Sequence, residues 1–139
     1  DSPAEQSMTD ARASADRVLW ELNSRRASFE RERSILARLE HPHLVRMYEC
    51  FEDKGRLCIV LELCRGGELY ERIAEKVRTA GNSGGLDERQ GRLFFRQMLF
   101  ATSYLHSCKI VHRDMKTENF LLLGKINTPE GDTLKLCDF

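Results

Sequence analysis

A chain of 139 residues fits one domain, and an apolar share of about 45%, counting Gly and leaving out Tyr, excludes disorder throughout. Lys and Arg number 22 against 22 Asp and Glu, so no global field draws the chain to nucleic acid or an anionic membrane. The longest apolar run, Leu57 to Leu61, is far short of the roughly 18 residues of a membrane span, the first twenty residues hold no signal-peptide core, and five Cys without a C-x-x-C pair fit neither a disulfide framework nor a zinc ribbon. The expectation is a soluble chain with reduced thiols, cytoplasmic or nuclear, without a nucleic-acid partner.

In chain order, Ser2-Pro3 with Glu5 has the chemistry of a helix start. Phe29, Glu32, Ile35, Leu36 and Leu39 then give a partly apolar face, which predicts a helix from about Ser28 to Leu39, ending before Pro42. Val45 to Phe51 and Arg56 to Leu63 are apolar, partly β-branched runs separated by Asp53-Lys54-Gly55, the pattern of a β-hairpin. The second run is nearly continuous in apolar side chains and is expected to be buried on both faces.

Arg65-Gly66-Gly67-Glu68 breaks that strand, and Leu69, Tyr70 and Ile73 predict a short helix, followed by a loop over Thr79 to Gly85. Asp87 with Gln90 three residues on has capping-box spacing, ahead of Phe94, Met98, Ala101 and Leu105 at helical intervals. Phe120 to Leu123 and Leu134 to Cys137 flank a polar stretch containing Asn127, Pro129 and Gly131, which predicts a second strand pair. Helix, hairpin, two helices, hairpin is an α+β order.

The chemistry concentrates near the C-terminal end. His112-Arg113-Asp114-Met115-Lys116-Thr117-Glu118-Asn119 matches the H-R-D-x-x-x-x-N catalytic loop of protein kinases, and Leu136-Cys137-Asp138-Phe139 is similar to the strand that leads into their Asp-Phe-Gly motif. Upstream, Phe29 to Leu39, His41-Pro42, the hairpin and Gly66-Gly67-Glu68-Leu69 resemble helix C, the strands after it, the hinge and the start of the large lobe. The resemblance covers about Ser28 to Phe139. It is greatest to the calcium/calmodulin-dependent and calcium-dependent kinases, through Asn119-Phe120-Leu121-Leu122.

That resemblance implies a partial bilobal kinase fold over 28–139, with 1–27 as a helical or irregular extension. It also implies transfer of the ATP γ-phosphate to a protein Ser/Thr hydroxyl, with ATP and Mg²⁺ as cofactors, a protein substrate as partner, and calcium-linked regulation as a further possibility. Asp114 would orient the attacking hydroxyl, and Lys116 would contact the transferring phosphate, as in Ser/Thr-specific members. Asn119 and Asp138 would be the metal ligands, hard oxygen donors suited to Mg²⁺. Glu32 matches the helix C acid that pairs with a strand Lys. Leu61 is similar to the gatekeeper, and Glu62 to Cys64 to the hinge whose backbone bonds adenine. Glu68 resembles an acid near the ribose or a basic substrate residue, although an acid there also suits a helix first turn.

Other candidates read more plainly. His112 is expected to be a packed structural residue, His41-x-His43 supplies too few ligands for a metal, and Gly81, Gly84 and Gly85 lack phosphate-loop spacing. Cys137 reads as a buried thiol, and Arg25-Arg26-Ala27-Ser28, though similar to a basophilic phosphorylation site, as a solvated helix entry.

Kinases also carry a Gly-rich loop and a strand Lys ahead of helix C, whereas residues 1–53 contain neither Gly nor Lys. The isolated 139-residue chain is therefore expected to be inactive, a central piece of a kinase domain. The alternative is a non-catalytic pseudokinase or protein-interaction module.

Overall fold

The computed structural model describes residues 23–80 and 85–138, so the helix start expected at Ser2-Pro3 and most of the glycine-containing loop lie outside the described residues. The chain divides into two compact units, Asp1–Ile35 and Leu36–Phe139.

Helix α1 occupies residues 23–36. It begins before Ser28, because Arg25, Arg26 and Ala27 are themselves good helix formers, and it ends three residues before Leu39. The Leu39 N–H bonds back to Leu36 O at 3.2 Å, an i→i−3 turn that buries both leucines without continuing the helix.

In the second unit, β1 (Met47–Asp53) and β2 (Arg56–Leu61) form an antiparallel hairpin with Asp53 opposite Arg56. Its two-residue loop, Lys54-Gly55, has φ of 48° and 74°, the left-handed pair a type I′ turn requires and the one that matches strand twist. The expectation that the second run is buried on both faces does not hold. Val60 is 38% and Leu61 43% exposed, because burying both faces of a strand takes a packed layer on each, and this two-stranded sheet leaves these side chains partly uncovered. The strand also stops at Leu61, two residues before the expected end.

The second hairpin pairs β3 (Phe120–Leu122) with β4 (Leu134–Leu136). Short segments extend it on both edges. On the β4 side, Val45 N–H donates to Leu136 O and Leu136 N–H to His43 O, each at 2.9 Å, around a parallel bridge of Leu44 with Leu136. On the β3 side, Gly66 N–H donates to Leu122 O and Leu122 N–H to Gly67 O, again at 2.9 Å, beside a bridge of Glu68 with Leu121. The resulting layer carries much of the core, with Leu44, Leu122, Leu134 and Leu136 all buried.

Helix α2 (Leu69–Ala80) is longer than the short helix expected and runs through Thr79 into the segment read as loop. Helix α3 (Glu88–Ser107) contributes Phe94, Ala101 and Leu105 to the core. Its buried Gln97 spans the end of β4, donating to Asp132 O at 2.8 Å and accepting from Leu134 N–H at 2.7 Å. Arg72 of α2 is buried as well and donates to Gly131 O at 3.2 Å, fastening α2 to the β3–β4 connection.

Asp87 caps α3 as its spacing predicts, its Oδ1 accepting the Gln90 N–H at 2.8 Å. The reciprocal half of the capping box is not made. Gln90 instead accepts from Lys76 at 2.5 Å and donates to Asp132 at 3.2 Å, tying α3 to α2 and to the β3–β4 connection. Gly91 lies inside α3 with nothing within 4 Å of an added Cβ, so Gly91→Ala is expected to stabilise the protein by about 0.5–1 kcal/mol by restricting the unfolded chain. A raised urea midpoint is the check, and a lowered one would show that the small side chain is required there.

Candidate functional site

The loop from His112 to Asn119 leaves α3 and returns to the sheet through a single 3₁₀ turn, Thr117–Asn119, that runs directly into β3. Asn119 is buried and holds the loop from within. Its Nδ2 donates to the Asp114 backbone carbonyl at 2.8 Å and to Asp114 Oδ2 at 3.2 Å. Its own carbonyl accepts the Cys137 N–H at 2.9 Å, which fastens the residue before Asp138 to the end of the same loop. His112, also buried, makes a second tie across these segments. It accepts the Asp114 N–H on Nδ1 at 3.3 Å, which leaves Nε2 to donate to Cys137 O at 2.8 Å. This pairing requires the Nε2–H tautomer and gives His112 the structural role expected of it.

Two residues of the site hold left-handed backbone without being Gly: Arg113 with φ 69° and Asp138 with φ 59°. Such conformations cost on the order of 1–3 kcal/mol and persist where surrounding bonds over-determine them, as those of His112 and Asn119 do.

Asp114 itself faces solvent, its side chain 62% exposed, with Lys116 Nζ at 2.7 Å from Oδ2. The hydrogen bonds from Lys116 and then Asn119 hold its carboxyl below the ordinary carboxylate value, while the same contact raises the Lys116 ammonium. Asp114 is thus a fixed, ionised acceptor beside a cation. The Cys137 thiol is pushed up to about 11, first by burial and then by the Asp138 charge, with smaller contributions from Cys64 and Glu68. That thiol stays protonated at neutral pH, and the same electrostatic environment joins the end of β4 to the 62–68 segment.

In the 61–68 segment, Leu61 ends β2 and is partly exposed. Glu62 N–H donates to Arg46 O at 2.8 Å, and the Glu62 carboxylate pairs with Lys135 at 2.8 Å. Cys64 is half-buried, its thiol raised by burial and by Glu62, and among the described residues its N–H makes no backbone hydrogen bond. Glu68 offers its carbonyl to Arg72 N–H at 3.2 Å at the start of α2. Glu32 is exposed on α1, in the first unit. The second unit therefore assembles Asp114, Lys116 and Asn119 in direct contact, with Asp138 one residue beyond a bonded neighbour. A cleft of about 740 Å³ along the N-terminal half of α3 is lined by none of the candidate residues.

Lys135 is the residue that sequence reasoning passed over. The signal was present: a Lys between Leu134 and Leu136 in a buried strand needs a charged partner. Among the described residues no group of three or more His, Cys, Asp or Glu could hold a metal ion, and no helix is long and apolar enough to cross a membrane.

The loop from His112 to Asn119 is thus locked onto the strand pair that leads to a second acid, Asp138. The family model described as protein kinase domain matches residues 15–139, and the chain belongs to the protein kinase family. The chain is 41% identical over 116 residues to the probable serine/threonine-protein kinase MARK-B of Dictyostelium discoideum, covering 82% of this chain and 14% of that protein. Human NUAK family SNF1-like kinase 1 is 41% identical over 109 residues, or 78% of this chain and 14% of the relative. A probable myosin light chain kinase of Dictyostelium discoideum is 37% identical over 125 residues, 90% of this chain and 36% of the relative. The chain thus spans between about a seventh and a third of the length of these relatives.

Proposed function

We propose that this chain supplies part of the catalytic centre of an ATP-dependent protein kinase that phosphorylates Ser or Thr. The observation that carries the reading is Asn119, which through one side chain and one carbonyl holds Asp114 and the strand end before Asp138 in a single network. Phosphoryl transfer asks the protein mainly to position groups and stabilise charge, and such a network does both. Asp114, ionised and aimed by Asn119, accepts the proton of the acceptor hydroxyl. Lys116 places a cation where charge develops on the transferring phosphoryl group.

The donor set suits Mg²⁺. Both Asn119 Nδ2 bonds go to Asp114, which leaves the amide oxygen as the free donor atom, and Asp138 adds a carboxylate. Two hard oxygens with water and phosphates completing the shell match that cation's preference. When bound, the metal would neutralise phosphate charge. Glu62 to Cys64 would face adenine, with the Cys64 N–H as one donor, Leu61 beside it and Glu68 toward the ribose or a basic substrate residue. Glu32 would pair with a strand Lys.

The calcium/calmodulin-dependent and calcium-dependent group is the subfamily we favour, on Asn119-Phe120-Leu121-Leu122, with calcium-linked regulation as its corollary. A cytoplasmic or nuclear location is proposed from the five free thiols. Phosphoamino-acid analysis of products made by the full-length kinase tests acceptor class. Phosphoserine and phosphothreonine are expected from Lys116 at its place in the loop, and products dominated by phosphotyrosine would refute the assignment.

A further inference from the structure

Lys135 is buried, yet the chemistry above does not use it. Leu134 and Leu136 on either side are fully buried, and strand alternation sends Lys135 to the opposite face of β4. There its Nζ lies 2.8 Å from Glu62 Oε2 and donates to Leu44 O at 3.5 Å. The same Glu62 oxygen accepts the Arg46 N–H at 3.2 Å, while Glu62 N–H bonds Arg46 O at 2.8 Å. Three segments that are remote in sequence, 44–46, the start of 62–64, and β4, therefore meet at one ion pair.

A buried pair adds little net stability, since desolvation offsets much of the attraction, but it fixes geometry by making any other arrangement leave a charge unpaired. Close apolar packing does not substitute for it here. A cleft of about 300 Å³ opens beside the pair, lined by Arg46, Tyr48, Glu62 and Lys135 among others. Downstream, the chain leaves β4 through Cys137 to Asp138, and Glu62 opens the segment that reaches Cys64.

We propose that Lys135 is a positioning residue for nucleotide binding: by holding Glu62 against β4 it sets the 62–64 backbone at a fixed place relative to Asp138. The inference rests on the kinase reading above and adds to it a residue that touches neither nucleotide nor substrate. Its removal loosens the grip on adenine and leaves the Asp114 network in place, because that network is held through the Cys137 backbone, whereas Lys135 Nζ contacts Glu62 and Leu44 O.

The test is calorimetric titration of the full-length kinase with magnesium and a non-hydrolysable ATP analogue, together with thermal melting of each variant. Lys135→Met is expected to raise Kd about tenfold, a modest share of what misplacement of a binding group can cost, and Lys135→Arg to stay within about threefold of wild type. Since Lys135→Met strands the Glu62 charge, the double variant Lys135→Met with Glu62→Met is made alongside. It is expected to melt near wild type and still to bind weakly. A double variant that melts and binds like wild type overturns the positioning role and leaves the kinase reading standing. A wild-type protein that binds no nucleotide overturns both.

Discussion

Asp114→Asn in the full-length kinase is expected to lower kcat by about 10²-fold or more while leaving nucleotide affinity within about twofold, the range a positioned proton acceptor contributes. Asn keeps the size of Asp and loses the charge and most of the basicity. The loop should survive, because the shorter Asn119 bond goes to the Asp114 backbone carbonyl at 2.8 Å and His112 accepts the Asp114 N–H, neither of which involves the carboxylate. The side chain is 62% exposed, so its neutralisation leaves no buried orphan. The pH profile supplies a second readout. Lys116 and Asn119 depress the Asp114 carboxyl below its ordinary 3.8, so the ionised acceptor is present at and above that value and is lost as pH falls through the depressed one. No activity limb from this group is therefore expected in the neutral range. A variant with undiminished kcat would remove Asp114 from the catalytic role, and an equal loss of nucleotide affinity would make it structural.

What the sequence revealed was local, and what it concealed was remote. The loop from His112 to Asn119 could be read because its chemistry is written in eight consecutive residues, and the Asp87 cap because donor and acceptor stand three apart. The Lys54-Gly55 turn was legible because left-handed backbone selects Gly. By contrast, Gln97 and Arg72 are polar residues on helices that look like solvated ones, until the fold brings the end of β4 and Gly131 against them. Glu62 was read for its backbone, and its side chain proves to hold Lys135, 73 positions away, a pairing no local pattern encodes. The two-sided burial expected of β2 failed for a related reason. Apolar content records what a strand can bury, and Val60 and Leu61 show that a two-stranded hairpin need not supply the second layer.

Gly66→Ala is expected to destabilise the kinase by about 3 kcal/mol, the sum of overpacking and weakened hydrogen bonds. Gly66 lies flat on the edge of β3, its N–H bonded to Leu122 O at 2.9 Å, with Arg65 N–H bonded to Leu123 O at 3.0 Å just before it. An added Cβ would come nearer than 3.0 Å to Gly124 O, Leu122 Cβ and Leu122 O. All three obstacles are backbone or backbone-anchored atoms, and Leu122 is fully buried, so no flexible side-chain end can swing aside. The 65–67 segment must lift from β3, and its hydrogen bonds lengthen together. Because residues 62–65 run straight into Gly66, the same displacement is expected to raise KM for ATP, whereas the His112–Asn119 network, on the other end of β3, is spared. Gly85→Ala is the control, since an added Cβ there meets nothing within 4 Å. Urea unfolding of both variants decides: a Gly66→Ala midpoint equal to that of Gly85→Ala would mean that the segment yields at no cost and that its contact with β3 does not place the 62–64 backbone.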